Sequence, residues 1–149
     1  MSIGEICNHN VVFSYKNVAL SEAARLMRDQ HVGSLVIIEE RDQGRIPIGI
    51  LTDRDIIVAV VARDLDARNM AVSEAMSGDL VTVGEEDTVV EALRLMRGYG
   101  VRRVPVVAHE GALVGIVTVD DLLEIVAREL SDLAGAIQSE RAHEIATRV

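Results

Sequence analysis

Two stretches of this chain set a hydroxyl and a carboxylate three residues apart, each behind a glycine and two apolar residues. They are Gly49-Ile50-Leu51-Thr52-Asp53-Arg54-Asp55 and Gly115-Ile116-Val117-Thr118-Val119-Asp120-Asp121. Thr-x-x-Asp at a helix start supports two chemistries. In the first, Thr is the N-cap and Asp answers from N3, satisfying backbone N–H groups of the first turn. In the second, the unpaired N–H groups and the positive dipole end seat an anion. The hydroxyl then meets a phosphate or ribose oxygen, and the carboxylate accepts hydrogen bonds from two vicinal ribose hydroxyls. Taken singly, each copy reads first as a cap.

Arg102 and Arg103 form another candidate set, inside Val101-Arg102-Arg103-Val104-Pro105. Arginine offers a planar fork of donors suited to phosphate. Residues 71–149 contain seven basic and fourteen acidic residues, so adjacent arginines stand out there, although a solvated surface pair is the plain alternative. His9, His31, His109 and His143 lack metal-ligand spacing and read as exposed loop or helix residues. Cys7 reads as a small packing residue. No HExxH, phosphate-binding Walker loop or nucleophile elbow is present, so the expectation is a non-enzyme with no obligate cofactor and no metal.

The chain has 149 residues, enough for one sizeable core or two small ones sharing an interface. A net charge of −9 argues against a nucleic-acid backbone as partner, since that affinity comes from clustered Lys and Arg. Phe13, Tyr15 and Tyr99 are the only aromatics, too few for the stacking platform of single-strand binders. One cysteine permits no intramolecular disulfide and suits a reducing compartment. The segment Met1–Cys7 has no leader-like pattern, and Ile56–Ala62, the longest apolar run, falls far short of a bilayer span. These features lead to the expectation of a cytoplasmic protein with no membrane partner.

The elements that must position these residues are written twice. A shift of 69 residues lays Glu22–Val32 on Glu91–Val101 with Glu, Ala, Arg, Leu, Met, Arg and Val coinciding, and pairs Glu5 with Glu74 and Val12 with Val81. The shift then drops to 66, laying Gly49–Asp55 on Gly115–Asp121, with the difference absorbed in polar Glu39–Arg45. Each half predicts a short strand (Val11–Phe13; Leu80–Val83) and then a helix with apolar residues at helical spacing. Those residues are Leu20, Ala23, Ala24 and Met27, and then Val89, Ala92, Leu93 and Met96. Two β-branched runs follow, Ser34–Glu39 with Pro47–Thr52 and Val104–Ala108 with Ala112–Thr118, joined by turns that carry glycine. Helices at about residues 53–63 and 119–130 close the halves, giving an α/β (α+β) order of β-α-β-β-α, twice. Ala71–Ser77 reads as a short helical turn. The expected division is 1–68, 69–132 and a polar helical tail over 133–149. The first closing helix is apolar all round at Ile56–Ala62, which predicts burial on more than one side.

A doubled β-α-β-β-α unit with Gly-h-h-Thr-x-x-Asp closing its third strand resembles the CBS domain, named after cystathionine β-synthase, over roughly residues 1–130. The resemblance implies a pseudo-two-fold pair (a Bateman module) with two clefts for adenosine compounds such as AMP, ADP, ATP or S-adenosylmethionine. It implies that Asp55 and Asp121 hold ribose and that Thr52 and Thr118 sit beside ribose and phosphate. Basic residues entering the second strand, here Arg102 and Arg103, would face the phosphates, and Val101 and Pro105 would flank the adenine. The first half departs from that pattern, with Gly33 and Ser34 where the second has its arginines.

The expected function is therefore a regulatory sensor that binds an adenine nucleotide, AMP or ATP, and transmits ligand state to a dimer or a regulated partner protein. A ligand-free structural dimerisation module and a sensor of S-adenosylmethionine are the alternatives. The better site is expected around Thr118, Asp121, Arg102 and Arg103, with Thr52 and Asp55 forming a weaker one. A homodimer is expected, with the first closing helix at or beside its interface.

Overall fold

The computed structural model describes residues 1–148. In chain order the elements are α1 (Ile3–Ile6), β1 (Phe13–Tyr15), α2 (Leu20–Gln30), β2 (Ser34–Arg41), β3 (Gly44–Thr52) and α3 (Asp53–Ala59). After single turns at Val61–Arg63, Ala67–Asn69 and Val72–Glu74 come β4 (Val83–Gly84), α4 (Val89–Tyr99), β5 (Arg103–Val107), β6 (Leu113–Thr118) and α5 (Val119–Thr147). The mixed α/β fold has two three-stranded sheets, ordered β1-β2-β3 and β4-β5-β6. In each, the first strand runs parallel to the second and the third antiparallel. Both sheets carry a register irregularity at the same repeat position, Ile37/Ile38 and Val106/Val107.

Local sequence explains most of these elements. In α2, Leu20, Ala23 and Met27 fall on one face and are buried, while Arg25 and Arg28 are exposed. The helix stops at His31, which takes a left-handed conformation (φ 55°). In α4, Ala92 and Met96 are buried, but Leu93 is turned outward. Leu95 packs on the core in its place, because the face centred on Ala92 and Met96 leaves Leu93 at its edge. Glu91 and Thr88 cap α4 reciprocally, and these hydrogen bonds hold the Glu91 carboxyl below its usual range. The central strands are buried on both faces: Leu35 and Ile37 alternate with Val36 and Ile38, all at 1% exposure or less.

Two helices differ from expectation. α3 ends at Ala59, after which a single turn replaces the expected continuation to residue 63. Its apolar run is not enclosed within this chain. Val60 is buried, but Ile57, Val58 and Val61 are 56%, 53% and 63% exposed, since one small sheet covers only one side of the helix. α5 continues without a break through the tail to Thr147. The β1 and β4 strands also begin later than the apolar runs suggest, at Phe13 and Val83.

The segment preceding each half packs into the other half. Ile3 and Cys7 lie in the core of β4–β6, with Val83, Val104, Val106 and Val117, whereas Val72 lies in the core of β1–β3, with Leu35, Ile37 and Leu51. Ile3 N–H donates to Asp87 O and Gly4 N–H to Glu85 O; at the matching positions Val72 N–H donates to Val18 O and Ser73 N–H to Lys16 O. Each arm then crosses the third strand of the other half. Asn8 and Ile116 exchange backbone hydrogen bonds at 2.9 Å, and Ser77 N–H donates to Ile50 O at 3.0 Å.

These crossings explain the glycine of each Gly-h-h-Thr-x-x-Asp motif. A Cβ at Gly49 would lie 2.8 Å from Ser77 O, and one at Gly115 would lie 2.5 Å from Cys7 Sγ and 2.8 Å from Asn8 O. Backbone cannot move aside there without breaking the arm's hydrogen bonds. Gly49→Ala and Gly115→Ala should each destabilise the fold by about 1–3 kcal/mol, as overpacking does. Gly98→Ala, in open space within α4, should instead stabilise by about 0.5–1 kcal/mol. Urea denaturation of the three variants checks both signs.

Candidate functional site

Both Thr-x-x-Asp pairs close as reciprocal caps. Asp55 N–H donates to Thr52 Oγ1 at 3.1 Å while Asp55 Oδ2 accepts from Thr52 N–H at 2.8 Å. Asp121 N–H donates to Thr118 Oγ1 at 3.1 Å and Asp121 Oδ2 accepts from Thr118 N–H at 3.0 Å. Each cap uses one carboxylate oxygen. Among the described residues Oδ1 of Asp55 and of Asp121 has no hydrogen-bond partner, so capping leaves each carboxylate able to accept more.

Two clefts flank the junction of the halves, and their linings correspond through the repeat. The larger, about 480 Å³, is lined by Ile50 and Thr52 from the end of β3, Asp53–Asp55 from the start of α3, Ser77 and Asp79–Val81 from the connecting arm, and Gly100–Arg103 leading into β5. The smaller, about 200 Å³, is lined by the matching Ile116 and Thr118, Asn8 and Asn10–Val12, and Val32–Ser34, with Arg103 in addition. The structure thus combines the closing motif of one half with the strand entrance of the other.

The eight residues singled out from sequence are distributed accordingly. Thr52, Asp55, Val101, Arg102 and Arg103 share the larger cleft. Thr118 shares the smaller one with Arg103 but not with Arg102. Asp121 lines neither; it borders a separate acidic hollow of about 470 Å³ beside Met1, Ile6 and Glu124. Pro105 is buried in β5 opposite Ile116 and lines neither cleft. Membership in one half suggested grouping Thr118 and Asp121 with both arginines. In the structure Arg102 lines the larger cleft with the end of β3 while its guanidinium reaches Asp120 at the start of α5.

The two arginines are held differently. Arg102 is exposed, and its Nη2 stands 3.5 Å from Asp120 Oδ1, a loose surface pair. Arg103 is half-buried, with Nη1 donating to Ser34 Oγ at 2.7 Å. Asp53, Asp55 and Asp79 line the larger cleft together with Arg54, Arg102 and Arg103, so its formal charges cancel, while Ile50, Leu80, Val81 and Val101 supply apolar wall.

Sequence reasoning missed the arm residues Ser77 and Asp79–Val81, and Asn8, Asn10 and Ser34 of the smaller cleft. The 69-residue offset carried a signal for them. It pairs Asn8 with Ser77, Asn10 with Asp79 and Ser34 with Arg103, so a lining position in one cleft marks its counterpart in the other. Cys7 is buried against Gly115, and burial raises its thiol pKa. Among the described residues, no helix is long and apolar enough to cross a membrane.

An uncharacterized protein of Methanopyrus kandleri is 37% identical over 125 residues, covering 84% of this chain and 62% of the relative, so the chain spans less than two thirds of that protein. The hexameric CBS-CP12 protein of bloom-forming cyanobacteria superimposes with a TM-score of 0.74 at 28% identity, over 98% of this chain and 83% of its own. A CBS domain pair solved with 5-methylthioadenosine and S-adenosyl-L-methionine gives a TM-score of 0.73 at 25% identity, over 87% of this chain and 98% of its own. The family model of the CBS domain matches twice, over residues 3–62 and 72–128. With both matches falling on the two halves that exchange arms and enclose the clefts, the chain belongs to the CBS-domain family as a tandem pair, a kind of module that is generally regulatory and ligand-binding.

Proposed function

We propose that this CBS pair is a sensor that binds an adenine nucleotide in its larger cleft and passes the ligand state to a dimer or a regulated partner protein. The observation that carries the reading is the convergence of three kinds of group on one cleft of about 480 Å³, within the size range of small-molecule sites. The apolar wall of Ile50, Leu80, Val81 and Val101 suits a purine. Asp55 keeps Oδ1 to accept ribose hydroxyls, and Arg102 and Arg103 supply donors for phosphate. Regulation follows if the ligand binds one arrangement of the halves or of the assembly more tightly than another.

The acidic residues favour a second reading. Asp53 and Asp79 line the same cleft as the arginines, which suits a ligand that also carries positive charge. S-adenosylmethionine is such a ligand, and a related CBS pair has been solved with it.

Assembly is the second part of the proposal. Ile57, Val58 and Val61 form an exposed apolar surface on and just beyond α3, and a homodimer that covers them removes this surface from water. The related CBS-CP12 protein is hexameric.

Calorimetric titration with AMP, ATP, adenosine and S-adenosylmethionine tests the ligand. Arg102→Ala should weaken AMP about tenfold or more while affecting adenosine little, as loss of a charge-assisted hydrogen bond does. Asp55→Asn should weaken both, and Asp121→Asn should leave the tighter site intact. S-adenosylmethionine binding more tightly than AMP, with the preference removed by Asp79→Asn, selects the second reading. No heat with any adenosine compound leaves the Thr-x-x-Asp pairs as caps and the module as structural. For assembly, sedimentation at tens of micromolar should give a dimer or a larger oligomer built from it. Ile57→Glu should give a folded species of lower order; a 16 kDa wild-type monomer would overturn this part.

A further inference from the structure

Ser34 opens β2 and Arg103 opens β5, and the 69-residue offset places them at the same position of the two repeats. They meet at the junction, where Arg103 Nη1 donates to Ser34 Oγ at 2.7 Å. Arg103 lines both clefts, whereas Ser34 lines only the smaller. Among the described residues no carboxylate pairs with Arg103, and its Nε and Nη2 have no hydrogen-bond partner. Arg102 is the reverse case, exposed and loosely paired with Asp120.

An arginine side chain has considerable rotamer freedom to lose when it closes on an anion. The Ser34 bond restricts that freedom before any ligand arrives, because the hydroxyl sits at a fixed strand start. The neighbouring backbone is fixed as well: Gly33 O accepts from Asp53 N–H at 2.9 Å, so β2 starts where α3 starts. The guanidinium is thereby held at the wall of the larger cleft with donors to spare and, among the described residues, with no carboxylate at ion-pair distance.

We infer that Ser34 is a positioning residue for the phosphate of a ligand in the larger cleft, acting through Arg103 from the opposite half. This rests on the nucleotide reading above and adds to it. The cleft's preference for phosphorylated over unphosphorylated adenosine is set in part by a hydroxyl that does not line that cleft. The preference therefore depends on how the two halves dock.

The test is calorimetric titration of AMP and adenosine against the wild type, Ser34→Ala, Ser34→Thr, Arg103→Ala and the Ser34→Ala/Arg103→Ala double variant, with melting temperatures checked. Ser34→Ala should weaken AMP about three- to tenfold, the range expected when one rotamer-rich side chain must be ordered on binding. Adenosine should stay within about twofold. Ser34→Thr, which keeps a hydroxyl, should recover AMP affinity, and Ser34→Ala should cause no further loss once Arg103 is alanine. Equal weakening of AMP and adenosine, a loss that persists in the Arg103→Ala background, or unchanged or tighter AMP binding to Ser34→Ala would each overturn the inference. So would an Arg103→Ala variant that binds AMP as the wild type does, with the nucleotide reading still standing on Arg102 and Asp55. A wild type that binds neither AMP nor adenosine overturns that reading and the role of Ser34 with it.

Discussion

Each half of this protein is completed by a backbone arm from the other. Ile3 fills a place in the core under β4–β6, and Val72 fills the equivalent place under β1–β3. The arms are held by backbone hydrogen bonds of 2.8–2.9 Å where they enter and of 2.9–3.0 Å where they cross β6 and β3. Burying a polar backbone without partners is costly, so these bonds and the apolar anchors act together. Removing either arm would uncover part of the opposite core, and the crossing points demand glycine at Gly49 and Gly115. The same exchange carries Asn8 and Asn10 to one cleft and Ser77 and Asp79–Val81 to the other. Clefts and fold thus depend on a single topological fact.

Upon that symmetric frame the side chains have diverged. The larger cleft holds three arginines and three aspartates, while the smaller has Arg103 as its one charged lining residue. The cause lies in a few positions: Gly33 and Ser34 stand where Arg102 and Arg103 stand in the other half, and Asn10 where Asp79 stands. A repeat that keeps its hydrophobic pattern keeps its fold, because burial is indifferent to which polar groups face the open cleft. Chemical asymmetry is therefore compatible with two halves of the same strand order, and Arg103 at the junction is the one charge common to both clefts.

The motif that resembles a binding site is also a structural cap, and the geometry shows how it can be both. Capping needs one hydroxyl and one carboxylate oxygen, which Thr52, Asp55, Thr118 and Asp121 supply. Oδ1 is left over in each copy. The cap fixes the carboxylate's orientation, and a fixed acceptor loses less freedom when a ligand arrives. The helices behind the caps differ. α3 is a short helix ending at Ala59, and its apolar side opens outward. α5 extends for 29 residues, and beyond Ser131 it is almost wholly exposed, a length of helix that in isolation is marginally stable in water.

Sequence by itself determined the repeat, the β-α-β-β-α order, the closing positions of β3 and β6 at Thr52 and Thr118, and the cap pairs, because these are local patterns of apolar spacing and capping chemistry. It marked Thr52, Asp55, Val101, Arg102 and Arg103 individually as candidates. It did not reveal that these five share a cleft, that Asp121 lines neither cleft, or that Pro105 is interior. The all-round apolar run at Ile56–Ala62 did point to an interface, but which of its residues stay uncovered within the chain emerged only from the fold. Those outcomes depend on which half meets which, and periodicity within an element carries no information about what crosses it from a distant part of the chain. The glycines illustrate the division. Their presence is written in the sequence twice, and the reason for them, a backbone passing within van der Waals distance from the opposite half, exists only once the two halves have folded together.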